Sequence, residues 1–133
     1  MAGQETNRDD NEVFRFIMQE IDSVPQLEAL LLFWSSSPAA WSARELAQRL
    51  YVSPDVANKL LADLARKKLI TAIPGAQGEY RYDSSSEEQN LLMARIDATY
   101  RREIVRISTM IHAKPSPAVR DFARAFRFTK EKE

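Results

Sequence analysis

Asn58 and Lys59 carry side chains suited to reading a nucleic acid. A side-chain amide can bond an adenine edge through two hydrogen bonds, and an ammonium can reach a guanine or a phosphate. Both follow closely on Ser53-Pro54-Asp55, a sequence that starts a helix. On an exposed helix the same residues would also serve as an ordinary solvated side.

Other chemistry fails by inventory. The chain has no cysteine, which excludes thiolate catalysis, thiolate metal sites and disulfides. His112 is the only histidine and falls near a helix C-terminus, where the dipole favours it. Asp97 and Glu103 lie on different sides of a helix and make no carboxylate pair. Gly75 and Gly78 are too few and wrongly placed for a phosphate-cradling loop. Without such constellations the chain is expected to be no enzyme and to need no metal or cofactor.

The elements that would position Asn58 and Lys59 follow from periodicity and caps. Residues 1–11 are polar and are expected to be disordered. Val13, Phe14, Ile17, Met18 and Ile21 recur at helical spacing and predict a short amphipathic helix. Ser23 and Pro25 start the next helix, with Leu27, Leu30, Leu31 and Trp34 as its inward stripe. Ala40-Trp41-Ser42 fits a small strand. Ser42 and Glu45 have capping-box spacing, which predicts a helix to about Leu50 with Leu46, Ala47 and Leu50 inward. Tyr51-Val52 makes a tight connection. Ser53 caps a further helix with Pro54 at its first position, and Ala57, Leu60, Leu61 and Leu64 form its buried stripe.

After Lys67-Lys68 the pattern changes to strand character. Leu69–Ile73 and Glu79–Tyr82 flank the turn Pro74-Gly75-Ala76-Gln77-Gly78 and predict a β-hairpin. Ser84-Ser85-Ser86-Glu87 reads as a second capping box. A long helix over about 85–112 should follow, with Leu92, Ile96, Tyr100, Ile104, Ile107 and Ile111 along one face. Ser116-Pro117 restarts a short terminal helix with Val119, Phe122 and Phe126 inward. The fold class is thus mainly α with a small β-hairpin wing. Its units are residues 1–23, 24–83 and 84–133.

The run from Glu45 to Leu64 resembles the helix-turn-helix of bacterial winged-helix regulators of the MarR and PadR kind. Ala47 matches the small residue where the two helices cross. Val52 matches the apolar turn residue, and Ser53 matches the cap of the recognition helix. Ala57, Leu60 and Leu64 match that helix's buried face, and Leu69 to Tyr82 match the wing. Two positions depart from the usual pattern. Tyr51 stands where a turn glycine is frequent, and Lys68 where a glycine commonly precedes the first wing strand.

The resemblance implies a transcriptional regulator of double-stranded DNA. The helix starting at Ser53 would enter the major groove and present Pro54, Asp55, Asn58 and Lys59. N–H groups at Ser42 and Ser53 would bind phosphate oxygens. Arg44 and Arg49 would add phosphate contacts, and Gln77 and Arg81 on the wing would touch the minor groove or the backbone. The long C-terminal helix would pair with its copy in a homodimer, or else fold back on its own domain. The N-terminal helix would join that interface or cap its own subunit. Arg101, Arg102 and Arg106 form a basic cluster, read either as a DNA-facing patch or as a solvated helix face.

Charge does not by itself favour this reading. Lys and Arg number 19, as do Asp and Glu. Residues 1–23 carry net −4, residues 24–83 net +1 and the remainder net +3. Asp55 and Asp63 would repel phosphate. The alternative is a winged-helix adaptor that binds a protein partner through Val56 and Pro54. A third possibility is a ligand sensor with a pocket lined by Trp34, Met93, Tyr100 and Met110. No apolar run approaches the about 20 residues needed to span a bilayer. The acidic start lacks the pattern of a signal peptide, so a cytoplasmic location is expected.

Overall fold

The computed structural model describes residues 2–83 and 85–115. The helix expected after Ser116 lies outside them. Nine elements follow one another: α1 (Ala2–Glu20), α2 (Val24–Ser35), β1 (Trp41–Ser42), α3 (Ala43–Leu50), α4 (Pro54–Arg66), β2 (Ile70–Ala72), β3 (Glu79–Tyr82), α5 (Glu87–Arg102) and α6 (Ile104–Ala113).

Local chemistry explains most of the helix starts. Ser23 Oγ accepts from the Gln26 N–H at 3.2 Å, and Pro25 needs no donor in that first turn. Ser42 Oγ accepts from the Glu45 N–H at 3.2 Å, while Glu45 Oε1 accepts from the Ser42 N–H at 3.1 Å. That is the expected reciprocal cap of α3. Ser53 Oγ accepts from the Val56 N–H at 3.2 Å and starts α4.

α2 is the hub. Leu27, Ala29, Leu30, Leu31 and Phe33 are all buried, so the helix is apolar around most of its circumference. Such a helix needs neighbours on several sides. It contacts α3, α4, α5, α6 and β3. The stripe expected on α4 is buried as read: Ala57, Leu60, Leu61 and Leu64. One core joins these residues to Val13, Ile17 and Ile21 near the N-terminus and to Met93, Ile96, Ile107 and Ile111 on α5 and α6.

The three strands form one antiparallel sheet in the order β1-β3-β2. Trp41 pairs with Tyr80 and Ile70 pairs with Tyr82. Ile70 and Tyr82 face the core, while their neighbours Thr71 and Arg81 face outward, as strand alternation requires.

Four expectations need correction. Residues 2–11 are not a disordered tail but part of α1. Part of the reason is tertiary: Glu12 meets Arg95 at 2.9 Å and Asp10 meets Arg102 at 3.2 Å, both across to α5. Met18, read as inward, is exposed. The second cap, read at Ser84 with Glu87, falls on a position outside the described residues, and the cap of α5 is Ser86. Ser86 Oγ accepts from the Gln89 N–H at 3.1 Å, so α5 starts at Glu87. The long C-terminal helix is broken at Glu103, where φ is −127° and ψ is 47°. No glycine or proline marks this break. α1 packs on both α5 and α6; Ile107 and Ile111 are buried in the core, whereas Ile104, read as inward, is exposed.

Candidate nucleic-acid interface

α3 and α4 are joined by Tyr51 and Val52 in the tight turn expected. Tyr51 has φ 58° and ψ 42°, in the left-handed region. The Val52 N–H returns to the Ala47 carbonyl at 3.1 Å and closes the end of α3. Lys68 is also left-handed, with φ 62°. Both positions that lack the usual glycine therefore adopt the backbone that glycine favours. For other residues this region costs about 1–2 kcal/mol.

The turn sets the presentation of α4. Its inner side is held in the core, and Ser53, Pro54, Asp55, Asn58 and Lys59 are all exposed. Val56 is 42% exposed on the same helix. Arg44 and Arg49 on α3 are exposed, as is Arg81 on β3. Gln77 is exposed in the turn of the hairpin, between Gly75 (φ 80°) and Gly78 (φ 82°). Eight of the nine predicted site residues thus lie on the outer surface.

Ser42 is the exception. It is half-buried, its residue pairs with Glu79 in the sheet, and its N–H is taken by Glu45. The phosphate-binding donor expected there is already satisfied, and a carboxylate stands over that helix end. The local acidic charge is also partly balanced. Asp63 accepts from Arg66 at 3.2 Å, which leaves Asp55 as the acidic residue nearest the start of α4.

The C-terminal basic cluster is a set of ion pairs. Arg101 meets Asp97 at 3.2 Å, Arg102 meets Asp10 at 3.2 Å, and Arg106 meets Glu103 at 3.3 Å. The Arg106 guanidinium also lies 4.6 Å from the centre of the Phe14 ring, a cation–π contact. These charges are engaged within the fold, in keeping with a helix face rather than a DNA-facing patch.

Trp34, Met93, Tyr100 and Met110, expected to line a pocket, do not share the groove beside Tyr100. Met93 is fully buried. Tyr100 borders a groove of about 320 Å³ with Glu28, Leu31, Leu32, Arg49, Leu50, Asp97 and Arg101, and the other three residues are not part of it. Burial, and then the nearby Glu28 carboxylate, push the Tyr100 phenol above its ordinary pKa. Among the described residues no group of three or more His, Cys, Asp or Glu could hold a metal ion. No described helix is long and apolar enough to cross a membrane.

One surface residue was read in the sequence as part of a turn and not as a site residue. Tyr51 is 95% exposed, beside Gln48 and Arg49. The signal was present as a large aromatic where a glycine is frequent.

The chain is similar in fold to several solved structures. It has the winged helix-turn-helix fold of MarR-like regulators. A MarR family protein from Bacillus stearothermophilus superposes with a TM-score of 0.50 at 12% identity, over 98% of this chain and 89% of that one. RV1404 from Mycobacterium tuberculosis gives 0.51 at 18% identity, over 98% and 86%. YusO from Bacillus subtilis gives 0.50 at 13% identity, over 98% and 87%. No family model matches the sequence, and no curated protein matches it.

Proposed function

We propose that the chain is a transcriptional regulator that binds double-stranded DNA as a homodimer, with α4 in the major groove, and that it performs no catalysis and needs no metal or cofactor. One observation carries this reading. α4 is held in the core along one side and exposes Pro54, Asp55, Asn58 and Lys59 along the other. A rigid helix with a polar outer side is the form that reads base edges. Arg44, Arg49, Gln77 and Arg81 are exposed on the elements around it and supply backbone contacts. The fold is similar to that of a MarR family protein, which supports the same reading.

The dimer is supported by apolar exposure on the C-terminal helices. Val105 on α6 is 76% exposed, and Leu91 and Ile104 are exposed beside it in sequence or on α5. A second copy would remove these side chains from water.

The test is fluorescence anisotropy of a labelled duplex of mixed sequence, titrated at about 50 and about 200 mM salt. Binding that weakens steeply with salt is expected, because phosphate neutralisation releases counterions. Absence of binding at tens of micromolar protein and low salt would overturn it. The exposed Val56 and Pro54 would then point to a protein partner, and the chain would be read as an adaptor.

A further inference from the structure

Tyr51 is a poor choice for stability on two counts. Its backbone is left-handed, where a Cβ is disfavoured and a glycine is not. Its side chain is 95% exposed, so no burial offsets that cost. Backbone strain of this kind clusters at functional sites.

The position suggests the function. Tyr51 stands in the turn that leads directly into α4, two residues before its cap at Ser53. It borders a shallow hollow with Trp41, Glu45, Gln48 and Arg49. Gln48 and Arg49 are exposed, whereas Glu45 is engaged by the Ser42 N–H in the cap of α3. A phenol, an amide and a guanidinium are all donors to phosphate oxygens.

We propose that Tyr51, with Gln48 and Arg49, forms a second DNA contact. The phenol O–H donates to a phosphodiester oxygen on the strand that borders the groove occupied by α4. This rests on the reading of α4 as the groove helix. A duplex keeps its bases stacked, so the tyrosine meets the backbone rather than a base face; stacking belongs to single strands. The polar neighbours of Tyr51 also argue against an apolar protein partner at this place.

The experiment uses the full chain and a duplex selected by the wild-type protein from a random-sequence pool. Tyr51→Gly and Tyr51→Phe are compared with wild type by anisotropy and by urea unfolding. Tyr51→Gly is expected to unfold at a urea concentration no lower than wild type, yet to bind the duplex about five-fold more weakly, as loss of one hydrogen bond would produce. Tyr51→Phe should lose a similar factor with its urea midpoint unchanged. Two variants that bind as well as wild type would overturn the contact and leave the reading of α4 intact. Weaker binding matched by lower stability in both would assign Tyr51 a structural role and also overturn it. In a parallel titration of one labelled strand alone, preferential loss of single-stranded binding would replace the phosphate contact with stacking. A wild-type protein that selects no duplex would overturn the reading of α4 and this contact together.

Discussion

Lys67, the C-cap of α4, places its Nζ 3.1 Å from Asp22 Oδ2 at the join of α1 and α2. The same ammonium donates to Gln26 Oε1 at 3.2 Å and to the Glu20 carbonyl. Gln26 is almost fully buried, and its Oε1 also accepts from the Asp22 N–H at 2.8 Å. On α6's side, Lys114 donates to the carbonyls of Ile17 and Ile21. Two lysines from distant parts of the chain thus donate to the carbonyls at the end of α1, among which that of Ile17 also accepts from the Ile21 N–H. The far end of α4 is thereby tied to the N-terminal helix.

Lys67→Met keeps most of the aliphatic stem but removes the donors. Asp22, Gln26 and the end of α1 then lose a partner in a half-buried place. The expected loss of stability is about 1–3 kcal/mol, the range for leaving a buried polar group without its partner. Urea unfolding measures it. A double-mutant cycle with Asp22→Asn should show a coupling of at least about 0.5 kcal/mol. An additive cycle would mean that the pair contributes nothing specific.

Lys68→Gly should stabilise the fold. The residue is exposed, so little packing is lost, and its φ of 62° suits glycine. Relief of about 1–2 kcal/mol in the native state is partly offset by the greater freedom of glycine in the unfolded chain. A net gain of about 0.5 kcal/mol is expected as a higher urea midpoint. Lys68→Ala retains the Cβ and should show no gain.

Tyr82 buries a hydroxyl that has no hydrogen-bond partner among the described residues. Tyr82→Phe is therefore expected to be neutral or stabilising by up to about 1 kcal/mol, since no bond is broken and a desolvated group is removed. The phenol also gives a pH prediction. Burial first, and then the charge of Asp83, raise its pKa from 10.0 to about 12. The folded state holds this proton more tightly than the unfolded state. The contribution to stability is complete below pH 10 and is lost as pH rises from 10 to about 12. Unfolding midpoints in this range should fall with pH in wild type and fall less in Tyr82→Phe.

Lys59→Ala and Arg81→Ala test the DNA reading residue by residue. Each removes one exposed charge without touching the core. A residue that meets a phosphate should reduce the slope of log affinity against log salt by about 0.9 and weaken all sequences alike. Asn58→Ala should instead relax preference at one base pair, by about 1–3 kcal/mol against the wrong base. Variants with unchanged affinity, slope and preference would remove these residues from the interface.

Val105→Glu tests the dimer. A charge on this exposed part of α6 should leave the fold stable but cannot be buried unpaired against a second copy. Sedimentation equilibrium is expected to show a dimer for wild type and a monomer for the variant. A wild-type monomer at high concentration would refute the proposed pairing.

The parts legible in the sequence are those decided within about four residues. Ser23, Ser53 and the Ser42-Glu45 box mark helix starts because a cap and its N–H partner are neighbours in the chain. Ala57, Leu60, Leu61 and Leu64 mark a buried side because helical period alone aligns them. Even the glycine-like turns at Tyr51 and Lys68 were visible as positions out of pattern. What needed the tertiary structure lies between residues far apart in sequence. Asp10 and Arg102, Glu12 and Arg95, and Asp22 and Lys67 meet only once the chain has closed on itself. Those meetings help extend α1 through a polar start and occupy charges that had looked available. Packing of α1 against both α5 and α6 accompanies the break at Glu103. No spacing announces such contacts, because their partners are chosen by where the core brings the elements together rather than by any local period.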